Sequence, residues 1–167
     1  MNYSNGDNIV SWNWLANGQG SANSDGSVTT TYTSANTTSG FSISQFNATG
    51  STMTFGHGLG AVPSFMLIKR TDSNSNGNWI VYHKSIGATK FLTLNDSSAE
   101  TTSSTRFGDT EPTSSVATVG SELLSGGTYV AYCFAEKNGF SKFGSYVGNG
   151  NVDGAFIYTG FKPALLI

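Results

Sequence analysis

The sequence predicts an all-β chain, a two-sheet antiparallel β-sandwich of jelly-roll or lectin-like type. Short stretches alternate apolar and polar residues with period two and are rich in β-branched and aromatic side chains. Clusters of Gly, Asn, Asp and Ser, such as DSNSNGN and GNGNVDG, divide them at the close spacing of a sandwich or barrel. No segment repeats apolar residues at i, i+3, i+4 and i+7 over two turns, and the best helical candidate, 121–125, is one turn long.

Along the chain, 27–33 (SVTTTYT) and 41–46 (FSISQF) alternate as half-buried strands. A corner should follow at HGLGAVP, 57–63: Gly58 and Gly60 allow positive φ on either side of Leu59, and Pro63 fixes φ and offers no N–H as the next strand begins. That strand is 65–68. In 78–82 (NWIVY) the alternation puts Trp79, Val81 and then His83 on one face and Asn78, Ile80 and Tyr82 on the other. Further strands are expected at 90–94, 128–134, 155–158 and 164–167. The apolar stretch PALLI is tolerable in water only if it pairs within a sheet or is covered by another subunit, so it should be ordered.

The chain contains a repeat. Gly40, Phe41 and Ser42 recur 99 residues later as Gly139, Phe140 and Ser141, and Gly50, Gly60 and Pro63 recur 100 residues later as Gly150, Gly160 and Pro163. A period near one hundred is too long for a solenoid and matches a small β-domain. The expected organisation is an N-terminal strand and loop segment at 1–38, a sandwich module at 39–138, and the start of a second repeat at 139–167. The last segment would pack as strands of the same sandwich or against a neighbouring subunit.

Composition removes several classes of function. At 167 residues one hydrophobic core is expected. Only 11% of residues are charged while 13% are aromatic, a balance that favours folding over disorder. A net charge of −2, with eight Lys and Arg scattered singly, leaves no basic stripe for nucleic acid. No apolar run approaches a bilayer span and MNYSNGDN is not a signal peptide, so a soluble product made in a cytoplasm is expected, with no membrane insertion. Cys133 is alone and reads as a small buried hydrophobe.

The chemical motifs are weak. His57 reads as a structural histidine bonding backbone in its turn, since no other ligand-type residue lies near it. Asp72 to Gly77 matches the first half of a calcium loop, but the twelfth position is His83 rather than Glu, and an Asn-rich hairpin turn is preferred. The turns at 23–26 (NSDG) and 148–154 (GNGNVDG) carry the same two readings. Asp109 and Glu111 have the spacing of a glycosidase carboxylate pair, yet GDTEPTSS around them reads as a solvated loop. There is no G-x-S-x-G elbow, phosphate loop or cofactor motif, so the chain is read as non-enzymatic, with no cofactor and no metal.

Binding and assembly remain. Sugar-binding sandwiches combine an aromatic face, which stacks on ring C–H groups, with amides and carboxylates that bond hydroxyls. Trp79 and His83, with Asn95 and Asp96 at the end of KFLTLND, are the candidate ligand-binding residues. Trp79 as a core aromatic between the sheets is the competing reading, and Trp12 with Trp14 in SWNWL suits a subunit contact. An architectural role is the alternative: a neutral, hydroxyl-rich surface forms contacts that persist in salty water, where screening is short-ranged. Exposed aromatics in a groove would favour recognition, and burial of every Trp and Tyr would favour scaffolding.

The string GTYVAYCFAEKNGFSKFGSYVGNGNVDGAFIYTGFKPALLI, with upstream SWNWLANG, TTSGFSI, GHGLGAVPSFMLIKRT, NWIVYHKSIGA and PTSSVATVG, resembles a module widespread in structural proteins of marine tailed bacteriophages. The resemblance covers nearly the whole chain. That module has no known biochemical function, sits toward the end of long tail-fibre-like proteins, and continues with a basic pair and a Trp-bearing strand. The same continuation occurs internally as Lys69, Arg70 and Trp79. The resemblance implies a virion location, other virion proteins and a host-surface glycan or receptor as partners, and a homo-oligomer, a trimer by analogy with fibres.

Overall fold

The computed structural model describes residues 11, 13–72, 77–123 and 125–166. They form nine strands and no helix: β1 (Tyr32–Asn36), β2 (Phe41–Asn47), β3 (Met53–Gly56), β4 (Phe65–Arg70), β5 (Ile80–His83), β6 (Lys90–Thr93), β7 (Thr101–Thr102), β8 (Val116–Val119) and β9 (Thr128–Phe134). Seven make one antiparallel sheet in the order β1-β2-β9-β4-β5-β6-β7, and β3 pairs with β8 in a second. The expected all-β, two-sheet antiparallel sandwich is the observed fold.

The core lies between the sheets. From the large sheet come Phe46, Tyr129, Ala131, Cys133, Met66, Ile68, Ile80 and Tyr82, and from the small one Met53, Phe55, Ala117 and Val119. Phe46 stacks on Phe55 with centroids 4.5 Å apart, which joins β2 to β3 across the sandwich. The inward positions of β2 also include Ser42 and Ser44, both fully buried. These small residues let the second sheet approach closely: the carbonyl of Gly56 accepts hydrogen bonds from Ser44 Oγ and Thr33 Oγ1, each at 3.2 Å. A Cβ at Gly56 would lie 1.7 Å from Asn23 Oδ1, so the Asn23 side chain and the turn it braces would have to move.

The corner at 57–63 turns the chain from β3 into β4, with φ of +68° at Gly58 and +66° at Gly60. His57 is completely buried in it. Its Nδ1 accepts the Leu59 N–H at 3.2 Å, so the proton sits on Nε2, which donates to the Thr113 carbonyl at 3.1 Å. Burial holds this ring below the usual histidine pKa, and the Thr113 bond only partly offsets that. The Asx turns follow the turn reading. Asn23 Oδ1 accepts the Asp25 N–H at 2.9 Å, and Asn149 Oδ1 accepts the Asn151 N–H at 3.0 Å.

Several expectations are corrected. The strand expected at 27–33 is displaced to β1, because 27–31 crosses between the sheets: Val28 bridges Phe55 of β3, while Thr31 N–H already donates to Gln45 of β2. The two-stranded sheet β3–β8 and the short β7 have no counterpart among the expected strands. The strands expected at 155–158 and 164–167 do not form among the described residues, and most of that stretch is exposed. The first copy of that repeat, 65–68, does form a strand, as part of β4 between β5 and β9. Trp12, Ile167 and most of the calcium-like loop, 73–76, lie outside the described residues.

Candidate ligand-binding face

The outer face of the seven-stranded sheet also carries a run of apolar side chains. Strand parity and register place Ser34, Ile43, Tyr132, Leu67, Val81 and Leu92 in one row across six strands, and Asn36, Phe41, Phe134, Phe65 and His83 in the next. Strand β9 explains why: Tyr129, Ala131 and Cys133 point into the core while Val130, Tyr132 and Phe134 point out, so TYVAYCF suits a strand covered on both sides. One end of this face is covered. Trp14 packs edge-on against Phe134 at 5.6 Å, and Phe143 stacks on Phe65 at 5.7 Å. The other end is open, and Ile43, Leu67, Leu92, Val130 and Tyr132 are only half-buried there.

The open end holds a shallow hollow of about 380 Å³. Ile43, Val130 and Tyr132 floor it, Tyr32 stands at its rim with 43% of its surface exposed, and Gln19 and Gln45 bring amides to it. Trp79, at the start of β5 two strands away, supports Tyr132 across β4, with rings inclined by 29° and centroids 6.1 Å apart. The hollow therefore joins aromatic surface to neutral hydrogen-bonding groups, the combination that receives a sugar ring. Ser34 adds no free hydroxyl, since its Oγ accepts the Asn17 N–H and donates to the Gly18 carbonyl.

The sequence-predicted residues divide. Trp79 is on the outer face and half-buried, so the core reading of it fails. Asn95 is beside it, but as a brace: Asn95 Oδ1 accepts the Trp79 N–H at 2.9 Å, and its Nδ2 donates to Asn78 Oδ1 at 3.0 Å. These bonds, with Leu94 N–H to the Trp79 carbonyl at 3.0 Å, set the start of β5 and so the position of the indole. His83 shares the face but lies four residues further along, ~13 Å at strand rise. There its ring edge meets Phe65, and Nδ1 accepts the Ser85 N–H at 3.1 Å. Burial and then Lys84 hold its pKa below the usual range. Asp96 is exposed and accepts the Ser98 N–H in its own turn. Sequence reasoning missed Tyr32, Gln45 and Tyr132; the available signal was the apolar character of both parities in β9.

The reactive groups are committed elsewhere. The Cys133 thiol is fully buried and pushed up to about 12 by desolvation. Glu111 is bound by the Tyr82 hydroxyl at 2.5 Å and the Ala88 N–H at 2.7 Å, while Asp109 takes a left-handed φ of 49° in the adjoining loop. Among the described residues, no three His, Cys, Asp or Glu side chains gather in a way that would hold a metal ion.

A family model described as a domain of unknown function (DUF7483) matches residues 1–167. No curated protein and no solved structure matches the chain.

Proposed function

We propose a function on the premise that the chain belongs to the DUF7483 family, a membership that by itself assigns no activity. The chain is a virion structural module of a tail-fibre-like protein that recognises a host-surface glycan. The virion part rests on the sequence resemblance. The recognition part is carried by one observation: the aromatic hollow on the outer sheet face, where Tyr32, Tyr132 and the Trp79 behind it meet the Gln19 and Gln45 amides.

A sugar seated there would stack its C–H face on Tyr132 or Tyr32 and give its hydroxyls to the amides, without charge on either side. Such a site needs no moving part and no cofactor. Trp79 acts from behind, by holding the plane of Tyr132. Asn95 acts one step further back, by holding Trp79. The test is binding of the purified chain to an array of host-type glycans and to host cells, compared with Tyr132→Ala and Gln45→Ala. Saturable binding weakened by both supports the reading, and binding unaffected by both removes it. The architectural alternative draws on a separate feature, the exposed apolar residues beyond β9.

A further inference from the structure

The hollow on the outer face is bounded by two aromatic rings set well apart. Tyr32 on β1 pairs with Gln45 on β2, Gln45 pairs with Val130 on β9, and Tyr132 lies two residues beyond Val130. The diagonal from Tyr32 to Tyr132 is therefore ~12 Å at strand spacing and rise. It crosses β2 between Ile43 and Gln45, both of which line the hollow. Trp79 stacks on Tyr132 from the side away from Tyr32, so the two tyrosine rings are not drawn together. A single sugar ring stacks on one of them and leaves the other bare.

The polar groups around this diagonal are neutral. Among the described residues the lining includes no Asp, Glu, Lys, Arg or His. Charges beside it are turned elsewhere: Lys69, in register with Val130, gives its ammonium to the Gly77 carbonyl, and Arg70 pairs with Asp72 at 2.8 Å. Among the described residues, the Gln19 and Gln45 amides and the Tyr32 and Tyr132 hydroxyls make no hydrogen bond within the chain. Gln19 is nevertheless held in place, because Ser34 bonds Asn17 and Gly18 just before it.

On the recognition reading, on which this step rests, we infer that the hollow takes an uncharged oligosaccharide of at least two sugar residues, gripped along its length rather than by one terminal sugar. One ring stacks on Tyr132 and a later ring on Tyr32, while the hydroxyls between them bond Gln45 where the chain crosses β2 and Gln19 on the wall. The second stack is made without a second loss of translational freedom, so length is rewarded until both rings are covered. Amides both donate and accept, which matches hydroxyls. A carboxylate or sulfate laid over Ile43 and Val130 would shed water with no cation to meet it, which disfavours acidic sugars.

The test is an array of linear glycans graded in length from a single sugar upward, with each neutral chain beside carboxylated and sulfated counterparts. It is probed with the full chain, Tyr32→Ala and Tyr132→Ala, each checked for folding by melting. Tyr32 stands at the rim with 43% of its surface exposed, so its loss leaves the core intact. Neutral chains that reach both rings should bind ~5-fold or more tightly than the single sugar, and Tyr32→Ala should erase that gain. Acidic counterparts should bind more weakly than the neutral chains. Saturable binding that Tyr132→Ala weakens, but that is equally tight for the single sugar or tighter for acidic chains, overturns the inference and leaves recognition standing. So does a gain with length that Tyr32→Ala leaves intact. Binding to no glycan by the folded, unaltered chain removes recognition and this inference with it.

Discussion

Acidification should destabilise this protein well before its carboxylates protonate, and His57 is the main cause. In the folded chain its Nδ1 is filled by the Leu59 N–H, and the ring has no solvent exposure. Protonation would set two N–H groups against each other and bury a charge, so the folded pKa lies below the usual value. The unfolded ring titrates near its ordinary ~6.5. The unfolded state therefore binds more protons below that pH, and stability present above ~6.5 is lost as the pH falls. One such proton contributes at most ~1.4 kcal/mol per pH unit, so from pH 6.5 to 5.0 His57 accounts for at most ~2 kcal/mol. His83, also shifted down, adds to the same window. Glu122 and Glu136 are shifted down as well, so their contributions are lost only at lower pH. With two histidines in the chain, the window is assignable. Urea melts at half-unit pH steps, on the unaltered protein and on His57→Gln, measure it. The variant should be less stable at pH 7.5 but show a shallower fall to pH 5.0. Stability that is flat or rises from 6.5 to 5.0 would refute the reasoning.

Three further predictions rest on single contacts. The Cys133 thiol, pushed up to about 12 by burial, should resist a maleimide in the native state and react only on unfolding, as stopped-label mass spectrometry would show. Tyr82→Phe removes the hydroxyl bound to Glu111 and should cost about 1–2 kcal/mol in a thermal melt. The same hydroxyl is shifted up, chiefly by burial, so it favours the fold below pH ~10 and that contribution fades above it. Gly120→Ala would place a Cβ 2.0 Å from the Thr105 carbonyl oxygen, so the backbone must move; a loss of about 1–3 kcal/mol is expected in denaturant titration.

The parts of the fold that are legible in the sequence are those where local pattern and tertiary position agree. Strand β9 is legible at its observed bounds because TYVAYCF has uniform strand propensity, and the parity of Trp79, Val81 and His83 is the observed one. The corner at 57–63 is legible because two glycines and a proline leave the backbone few choices. The small sheet is not, since MTFG and VATV are four residues each and gain their strand character from pairing with each other across 60 residues of chain. The stretch 155–166 misleads for the converse reason. It has strand propensity, but a strand needs a partner, and none pairs with it among the described residues.

The candidate site is half legible for a similar reason. Trp79 carries its own signal as a large aromatic on an alternating strand. Tyr32, Gln45 and Tyr132 meet only through the register of β1, β2 and β9, which no local pattern states. Asn95 has the chemistry of a ligand group and proves to be a brace, because a side-chain amide at a strand end bonds the nearest unpaired backbone first.

The most direct test of the account is glycan and host-cell binding by the purified chain beside Tyr132→Ala and Trp79→Ala, with folding of each checked by melting. Loss of the aromatic platform should weaken saturable binding by about 5–30-fold, which corresponds to about 1–2 kcal/mol for one stacked ring. Binding that is absent from the unaltered, folded protein, or equal in all three, would contradict recognition at the outer sheet face.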